Sequence, residues 1–428
     1  MPATYEFWLT DDTGRRMGLL TNCTFFSYSR SVNGFGTFEI GLPYRVVRDK
    51  LHPIFQPDWR IDVWRSPETG YPMRREQIYL LRMYKIYTRE KDGVQIIVYY
   101  ARDPKDLVNR RWVIQAAGTS YTRKTAAIDD MMKEIVREQT LYGSAVDVDG
   151  VSAPERAWPE AEWSVQEDLT LGPSVTHNFA ENNVLDVLKS LRDASFELAN
   201  RSTANAKIYF DVVATTGLYT DDEILQENDA SIFILDENGT DAILAEISGT
   251  ANGKIGFRFE TYAGLRGIDR TTGLVFSVEN NNLEAPYYSK SHFDENNSVI
   301  VKGFGRGDSR LWDVVDGDTI TLSRWNRVET YKDASTEPDQ DKLADFAYEP
   351  LNKNAPREEL SAVFLNTPGS EDTPRSLYGL DWDMGDLVPV EYAEQRWNVE
   401  IDIVYIAQDE NGVETITGRS NINASDQT

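Results

Sequence analysis

A β-rich α+β fold follows from three features of the chain. Residues 5–101 alternate apolar and polar with period two, run after run, with turn residues between. Two segments, 124–139 and 183–191, switch to helical spacing. From residue 207 the strand pattern returns, so helices stand between two β-rich blocks. The 428 residues suffice for about three domains. A content of 40% hydrophobic and 11% aromatic residues can fill real cores and favours strands over disorder.

Tyr5 to Leu9 forms the first run, Asp11-Asp12-Thr13-Gly14 the first turn, and Phe38, Ile40 and Leu42 alternate toward a buried face. Residues 78–88 and 94–101 flank Glu90-Lys91-Asp92-Gly93, a hairpin signal. Together these runs predict a small antiparallel barrel or sandwich. Asp103-Pro104 opens a short helix, with Asp as N-cap and Pro at the first helical position. Ile128, Met131, Met132, Ile135 and Val136 share one face, which predicts an amphipathic helix over 124–139. Core packing accounts for its methionines more simply than a partner face does.

Residues 143–165 hold Gly143, Gly150, Pro154, Pro159 and many acids, and read as an exposed loop. Asn183 caps a second helix with Val184, Leu185, Leu188 and Leu191 on one side. Strands resume over 207–213, and 221–229 is a polar interruption. Asp236-Glu237-Asn238-Gly239 turns between 231–235 and 242–247. A second Asp-Glu-Asn-Gly at 409–412 turns between 397–407 and 413–417; the repeat is turn chemistry, not duplication. Residues 332–342 read as a polar loop, 341–348 as one or two helical turns, and 421–428 as a fraying end.

The balance of 44 basic against 70 acidic residues, a formal charge of −26, opposes general adhesion to nucleic acid or anionic lipid. No run approaches the roughly 20 apolar residues of a membrane-spanning helix, and the N-terminus lacks a basic segment followed by an apolar one. No membrane insertion is expected. The single cysteine, Cys23, excludes an internal disulfide and suits a reducing compartment. Its apolar surroundings, Thr21 to Phe26, fit a small buried hydrophobe better than a nucleophile.

The signatures of catalysis are missing. The three histidines, His52, His177 and His292, form no His-Glu-x-x-His pair, and neither Ser-x-x-Lys nor Gly-x-Ser-x-Gly occurs. Residues 249–254 fall one residue short of a phosphate-binding loop. Asp147, Asp149 and Gly150 resemble part of a calcium loop but lack its spacing and terminal Glu. Asp381 and Asp383 flank Trp382 as a sugar-cleaving pair would, yet they stand just before Gly385-Asp386, where turn and strand-edge roles fit better. Arg306-Gly307-Asp308 matches an adhesion tripeptide, a motif short enough to arise by chance. No catalytic residue, metal site or cofactor is expected, and the chain reads as a non-enzyme.

Two local patterns stand out at long spacing. In the first, the β-branched run Val299-Ile300-Val301-Lys302 breaks into Gly303, Gly305 and Gly307 before Arg310, as a strand leaving its sheet does. In the second, Tyr378-Gly379-Leu380-Asp381-Trp382-Asp383-Met384-Gly385-Asp386 introduces the apolar run Leu387-Val388-Pro389-Val390. Residues 327–334 lie between, and 97–111, 257–261, 267–271 and 274–283 precede them. In these segments and their order the chain resembles, over nearly its whole length, the baseplate or tail-tip hub proteins of long-tailed (siphovirus-type) bacteriophages.

That resemblance implies two tube-like antiparallel β-barrels with inserted α/β segments. The corresponding division is a first barrel domain over 1–115, a helical insertion with an acidic loop over 116–200, a β-rich insertion over 201–297, and a closing second barrel over 298–428. Three such chains would present six tube-like units, so a homotrimer would match a hexameric tail ring. The implied role is a structural hub at the distal end of the tail, in a virion assembled in the host cytoplasm. It would join the tail-tube ring to a fibre or spike, meet the tape-measure protein, and gate a channel through which DNA passes without specific binding. A receptor- or carbohydrate-binding tail-tip protein, suggested by 10 Trp and 21 Tyr, is the alternative, and a cell-wall hydrolase a third. Pro389, lacking an N–H, should lie on an edge or at a bulge. Arg306, Arg310 and Arg327 are candidate subunit-interface residues: their forks either pair with a neighbour's carboxylates or form intrachain or exposed pairs worth at most about 1 kcal/mol.

Overall fold

The computed structural model describes residues 3–423 except 13, 15, 33, 49–55, 91, 115–121, 142–155, 160–161, 180–181, 202–205, 216–232, 236–241, 245–255 and 336. Most of the expected acidic loop, the polar interruption at 221–229, the Asp236–Gly239 turn, the Asp147 and Asp149 cluster, His52 and the last five residues lie outside the described residues. The elements begin β1 (Thr4–Thr10), β2 (Arg16–Leu19), β3 (Phe25–Ser31), β4 (Thr37–Pro43), α1 (Tyr44–Val47), β5 (Arg60–Ser66), β6 (Arg74–Thr88) and β7 (Gln95–Arg102). Then come α2 (Lys105–Asn109), β8 (Thr122–Ala127), α3 (Ile128–Thr140), β9 (Trp163–Val165), β10 (Ser174–Phe179), α4 (Val184–Arg201) and β11 (Ile208–Thr215). They continue through β12 (Phe233–Leu235), β13 (Ala242–Leu244), β14 (Gly256–Ala263), β15 (Phe276–Ser277), β16 (Leu283–Ser291), β17 (Ser298–Lys302), β18 (Trp312–Asp316) and β19 (Glu329–Asp333). The last are α5 (Leu343–Lys353), β20 (Arg357–Leu365), β21 (Leu387–Tyr392), β22 (Gln395–Glu400), β23 (Ile403–Gln408) and β24 (Glu414–Asn423). Among the described residues no helix is long and apolar enough to cross a membrane.

The chain divides into a larger unit, Met1–Glu284 with Val363–Arg419, and a smaller one, Ala285–Ala362 with Ser420–Thr428. In the larger unit nine strands lie in the order β24-β23-β3-β4-β7-β6-β5-β1-β2. The predicted alternation sends Phe7, Phe26, Tyr28, Phe38 and Tyr79 to one buried face. There the rings of Tyr5 and Phe26 lie 4.7 Å apart and those of Phe7 and Phe26 4.8 Å, although β1 and β3 are not neighbours in the sheet. The sheet is therefore strongly curled. Register shifts at Leu9/Thr10, Val63/Trp64 and Leu81/Met83 supply bulges that bend it.

Curling stops short of closure. The two antiparallel barrels implied by the resemblance are not formed: among the described residues no sheet pairs its last strand with its first, and β2 pairs only with β1. The strands meant for a second barrel are instead dealt among three sheets. β17, β18 and β19 make a small mixed sheet, β21 and β22 join β15, and β23 and β24 extend the first sheet. A barrel needs strands long and numerous enough to return in register; the five-residue strands β17–β19 are not. β23 buries Val404 and Ile406 and pairs along its whole length with β3.

Two further expectations shift. The helix predicted over 124–139 starts at Ile128, because residues 122–127 form β8 paired with β10, as their β-branched threonines favour. Met131 and Met132 are fully buried, as core residues. The run 397–407 is two strands, β22 and β23, in different sheets, broken where the Ile401 N–H donates to the Asp386 carbonyl and Asp402 N–H to Arg419. Pro389 lies in β21 opposite Asn398, and on its other flank it falls in the gap between the Leu387 bridge to Asp269 and the pairing of Val390 with β15.

Helices α3 and α4 cover the sheet β11-β14-β9, and Leu185, Leu188, Ile135, Phe210 and Phe259 share one core. Asn183 caps α4, accepting from the Leu185 N–H at 2.9 Å. In the smaller unit Val299 and Val301 of β17 pack against Leu343 and Ala347 of α5.

Asp103 caps α2, accepting from the Lys105 N–H at 3.0 Å and the Gly36 N–H at 2.6 Å. Burial pushes its carboxyl up to about 6, with the Asp211 charge adding, while Lys105 and the Gly36 N–H pull it back. The folded chain thus holds this proton more tightly than the unfolded chain. Asp103 therefore lowers stability progressively as pH rises from about 4 to about 6, by roughly 3 kcal/mol in all, and no further above that. Asp103→Asn removes that slope: the difference between the unfolding free energies of wild type and variant changes across pH 4–6 and is constant above it. A difference independent of pH throughout contradicts the assignment.

Candidate functional site

Both long-spaced sequence patterns build local structure first. Gly385 adopts φ +84°, and a Cβ there would come within 2.6 Å of Arg266. That tight turn lets Asp386 reach across the chain, accepting from the Ile268 N–H at 2.7 Å and the Asp383 N–H at 2.8 Å and pairing with Arg270. Trp382 is fully buried, 5.2 Å from the Tyr378 ring and 6.2 Å from Phe276, and its indole N–H donates to the Ser376 carbonyl at 3.1 Å.

The acids flanking Trp382 are both committed to arginines. Asp381 takes two hydrogen bonds from Arg375, at 2.8 and 2.9 Å, and one from the Leu377 N–H. Asp383 faces Arg30 at 2.9 Å and Arg74 at 3.0 Å. Burial pushes the Asp383 carboxyl up, but Arg30 and Arg74 outweigh it and hold it below the ordinary carboxylate range. A general acid for sugar cleavage needs the opposite shift, so this pair serves the fold.

Around Asp383 lies a buried polar network that the sequence did not announce. Glu76, with no exposed side-chain surface, accepts from Arg74 at 2.9 Å, Arg30 at 3.2 Å and the Tyr378 hydroxyl at 2.6 Å. Arg65 donates to the Tyr5 hydroxyl at 2.9 Å and to the Tyr378 carbonyl at 3.2 Å, and faces Glu414 at 3.6 Å. Strands β1, β3, β5 and β6 are thereby tied to the 378–383 segment. The partners stand up to about 350 positions apart, beyond any local signal.

The three sequence-predicted interface arginines all lie in the smaller unit. Gly305, at φ +108°, packs so closely that a Cβ would meet the Ser309 carbonyl at 2.3 Å, and it turns the chain into a 3₁₀ turn at Gly307–Ser309. Arg306 is exposed beside that turn and forms no ion pair among the described residues. Arg310 is partly buried and donates from Nε to the Gly305 carbonyl at 3.1 Å. Arg327, exposed, bridges Glu329 at 2.7 Å and Asp316 at 3.1 Å and donates to the Ser298 hydroxyl at 2.9 Å. The structure brings Arg306 and Arg310 to one turn, while Arg327 stands on the edge of the adjoining sheet.

Other reactive groups are accounted for similarly. Burial pushes the half-buried Cys23 thiol up, away from a nucleophile. His292 Nδ1 lies 2.7 Å from Glu295, and His177 stacks 4.8 Å from Phe179. Among the described residues no group of three or more His, Cys, Asp or Glu side chains could hold a metal ion.

A family model described as Siphovirus ReqiPepy6 Gp37-like protein matches residues 6–416. The 43 kDa tail protein of prophage MuSo2 from Shewanella oneidensis superposes with a TM-score of 0.51 at 10% identity, over 98% of this chain and 99% of that one. The tail protein from Neisseria meningitidis MC58 aligns at 0.49 and 9% identity, over 100% and 99% of the two chains. Prophage tail protein gp18 from Listeria monocytogenes EGD-e aligns at 0.46 and 10% identity, over 98% and 94%. The first of these shows a common fold. No curated protein sequence matches the chain.

Proposed function

Because the chain belongs to the family of Siphovirus ReqiPepy6 Gp37-like proteins, we propose that it is a structural component of a phage tail, the hub at the tail's distal end. Three copies close into a ring that joins the tail tube to a fibre or spike, meets the tape-measure protein, and gates the channel for DNA. The observation that carries this reading is the family match over 6–416, supported by a fold likeness that covers nearly all of this chain and of a prophage tail protein.

With the sheets open, two barrels per chain no longer supply the match to a sixfold tube. Threefold closure rests instead on contacts between copies, which generate a ring whenever the rotation closes. Arg306 meets a carboxylate of the neighbouring copy with an uncommitted guanidinium, and Arg310 and Arg327 contribute the donors left over from their intrachain bonds. A formal charge of −26 suits a channel wall that repels the DNA backbone. Quantitative mass spectrometry of purified virions tests the stoichiometry. Three copies per particle is the expected result; one copy, or a number not divisible by three, contradicts it.

A further inference from the structure

Arginines outnumber carboxylates at the end of α2, in the larger unit. Arg110 donates to Asp106 at 2.9 Å and to Asp58 at 2.7 Å, yet Asp106 also accepts from Arg102 at 3.0 Å and Asp58 from Arg82 at 3.1 Å. Three guanidiniums thus share two carboxylates. Beside them Arg111 faces no carboxylate among the described residues. It lies 4.6 Å over the Trp158 ring, and its Nε, like Nη2 of Arg110, is buried without a hydrogen-bond partner. Burial lowers the Arg111 guanidinium below its ordinary range, and the charges of Arg156 and Arg110 lower it further. Arg156 is held close by donating to the Trp112 carbonyl at 3.0 Å. Like charges crowded at a half-buried site are destabilising until an anion meets them.

We infer that this cluster docks an acidic surface of a second copy of the chain, an inference that rests on the ring reading above and gives it a contact on the larger unit. Charge favours that occupant. A chain with 70 acidic against 44 basic residues is rich in carboxylates, and here a copy's acids meet a surplus of positive charge. Salt confines the repulsion between copies to about 8–10 Å, so the patches in contact decide. The basic cluster and the acidic surface are different patches, so the contact is head-to-tail. Such contacts form a ring whenever the rotation closes, threefold included.

The flanks of the cluster have the composition of an interface core. Trp112 is 57% exposed, and beside Arg82 a cleft of about 270 Å³ is lined by Pro57, Met83, Tyr84 and Tyr99. Met83 and Tyr84 are 56% and 53% exposed. Interfaces concentrate aromatic residues, Met and Arg. A nucleic-acid backbone fits less well. Tight binding to it takes several free cations along a track, whereas Arg82, Arg102 and Arg110 are already tied to Asp58 and Asp106.

Sedimentation of the full chain over a dilution series tests the cluster. Wild type is expected to self-associate, and Arg111→Glu to weaken association by about 100-fold or more with an unchanged circular dichroism spectrum. Arg111→Gln, which removes the charge and keeps much of the bulk, should weaken it about tenfold and serves if the reversal misfolds. Arg396→Glu, at an exposed arginine paired within its own hairpin, should behave as wild type. An Arg111→Glu chain keeps its acidic side, so in excess it should cap wild-type assemblies and shift them to smaller species; an inert variant overturns the head-to-tail contact. Wild type that stays monomeric at about 100 µM overturns the inference, as when the chain's own Asp147 or Asp149 meets Arg111. Association unchanged in both Arg111 variants overturns it too, while leaving the ring intact with another interface. Binding of a DNA duplex, lost in Arg111→Glu, would assign the cluster to nucleic acid instead. The virion stoichiometry decides the ring independently.

Discussion

Trp382→Ala is expected to destabilise the larger unit by roughly 3–5 kcal/mol, the usual cost of deleting a fully buried large aromatic side chain. Trp382 has no exposed surface and stacks edge-on to Tyr378 and Phe276. Its surroundings cannot collapse into the cavity easily. Gly418 lies so close that a Cβ would meet the indole at 2.9 Å, and Phe364 and Ile401 stand against the same glycine. Guanidinium unfolding followed by far-ultraviolet circular dichroism reads the loss as a lower midpoint. A loss under about 1 kcal/mol would mean that the 378–390 segment does not brace the sheet.

Glu76→Ala is expected to cost a similar amount, roughly 3–5 kcal/mol, for a different reason. The carboxylate, itself without exposed surface, accepts from Arg30, Arg74 and the Tyr378 hydroxyl. Removing it leaves the donors facing one another, with Asp383 the remaining ion-pair partner shared by both arginines among the described residues. Glu76→Gln keeps the volume but turns an amide toward those donors, so it recovers only part of the loss. A Glu76→Ala protein as stable as wild type would show that the network is dispensable. The two sites share Tyr378, so Trp382→Ala with Glu76→Ala should cost less than the two losses added.

What the sequence made legible was local. The strands through residue 101, the Glu90–Gly93 turn, the Asp103 cap and the Asn183 cap each rest on residues within a few positions of one another. The helical start at Ile128 and the break at Ile401 and Asp402 were misplaced because pairing with a distant strand, not propensity, decides them. Closure into barrels failed for the same reason. Alternation shows that a strand has two faces, and not which strand covers either of them. The Arg30, Glu76 and Tyr378 network unites positions from three parts of the chain that no spacing rule connects. Arg306 and Arg310 are legible through the glycines beside them, whereas Arg327 has no such local marker. The exposure of Val314 and Tyr331 is not legible in the sequence, because apolar residues in a strand read as core unless it is known that α5 already fills the other side.

An image reconstruction of the tail tip, with this chain located in the density, bears most directly on the hub. Three copies should surround the tail axis in a closed ring at the distal end of the tube, with neighbouring chains in contact. Finding the chain on a lateral fibre, or as a single copy off the axis, would contradict it.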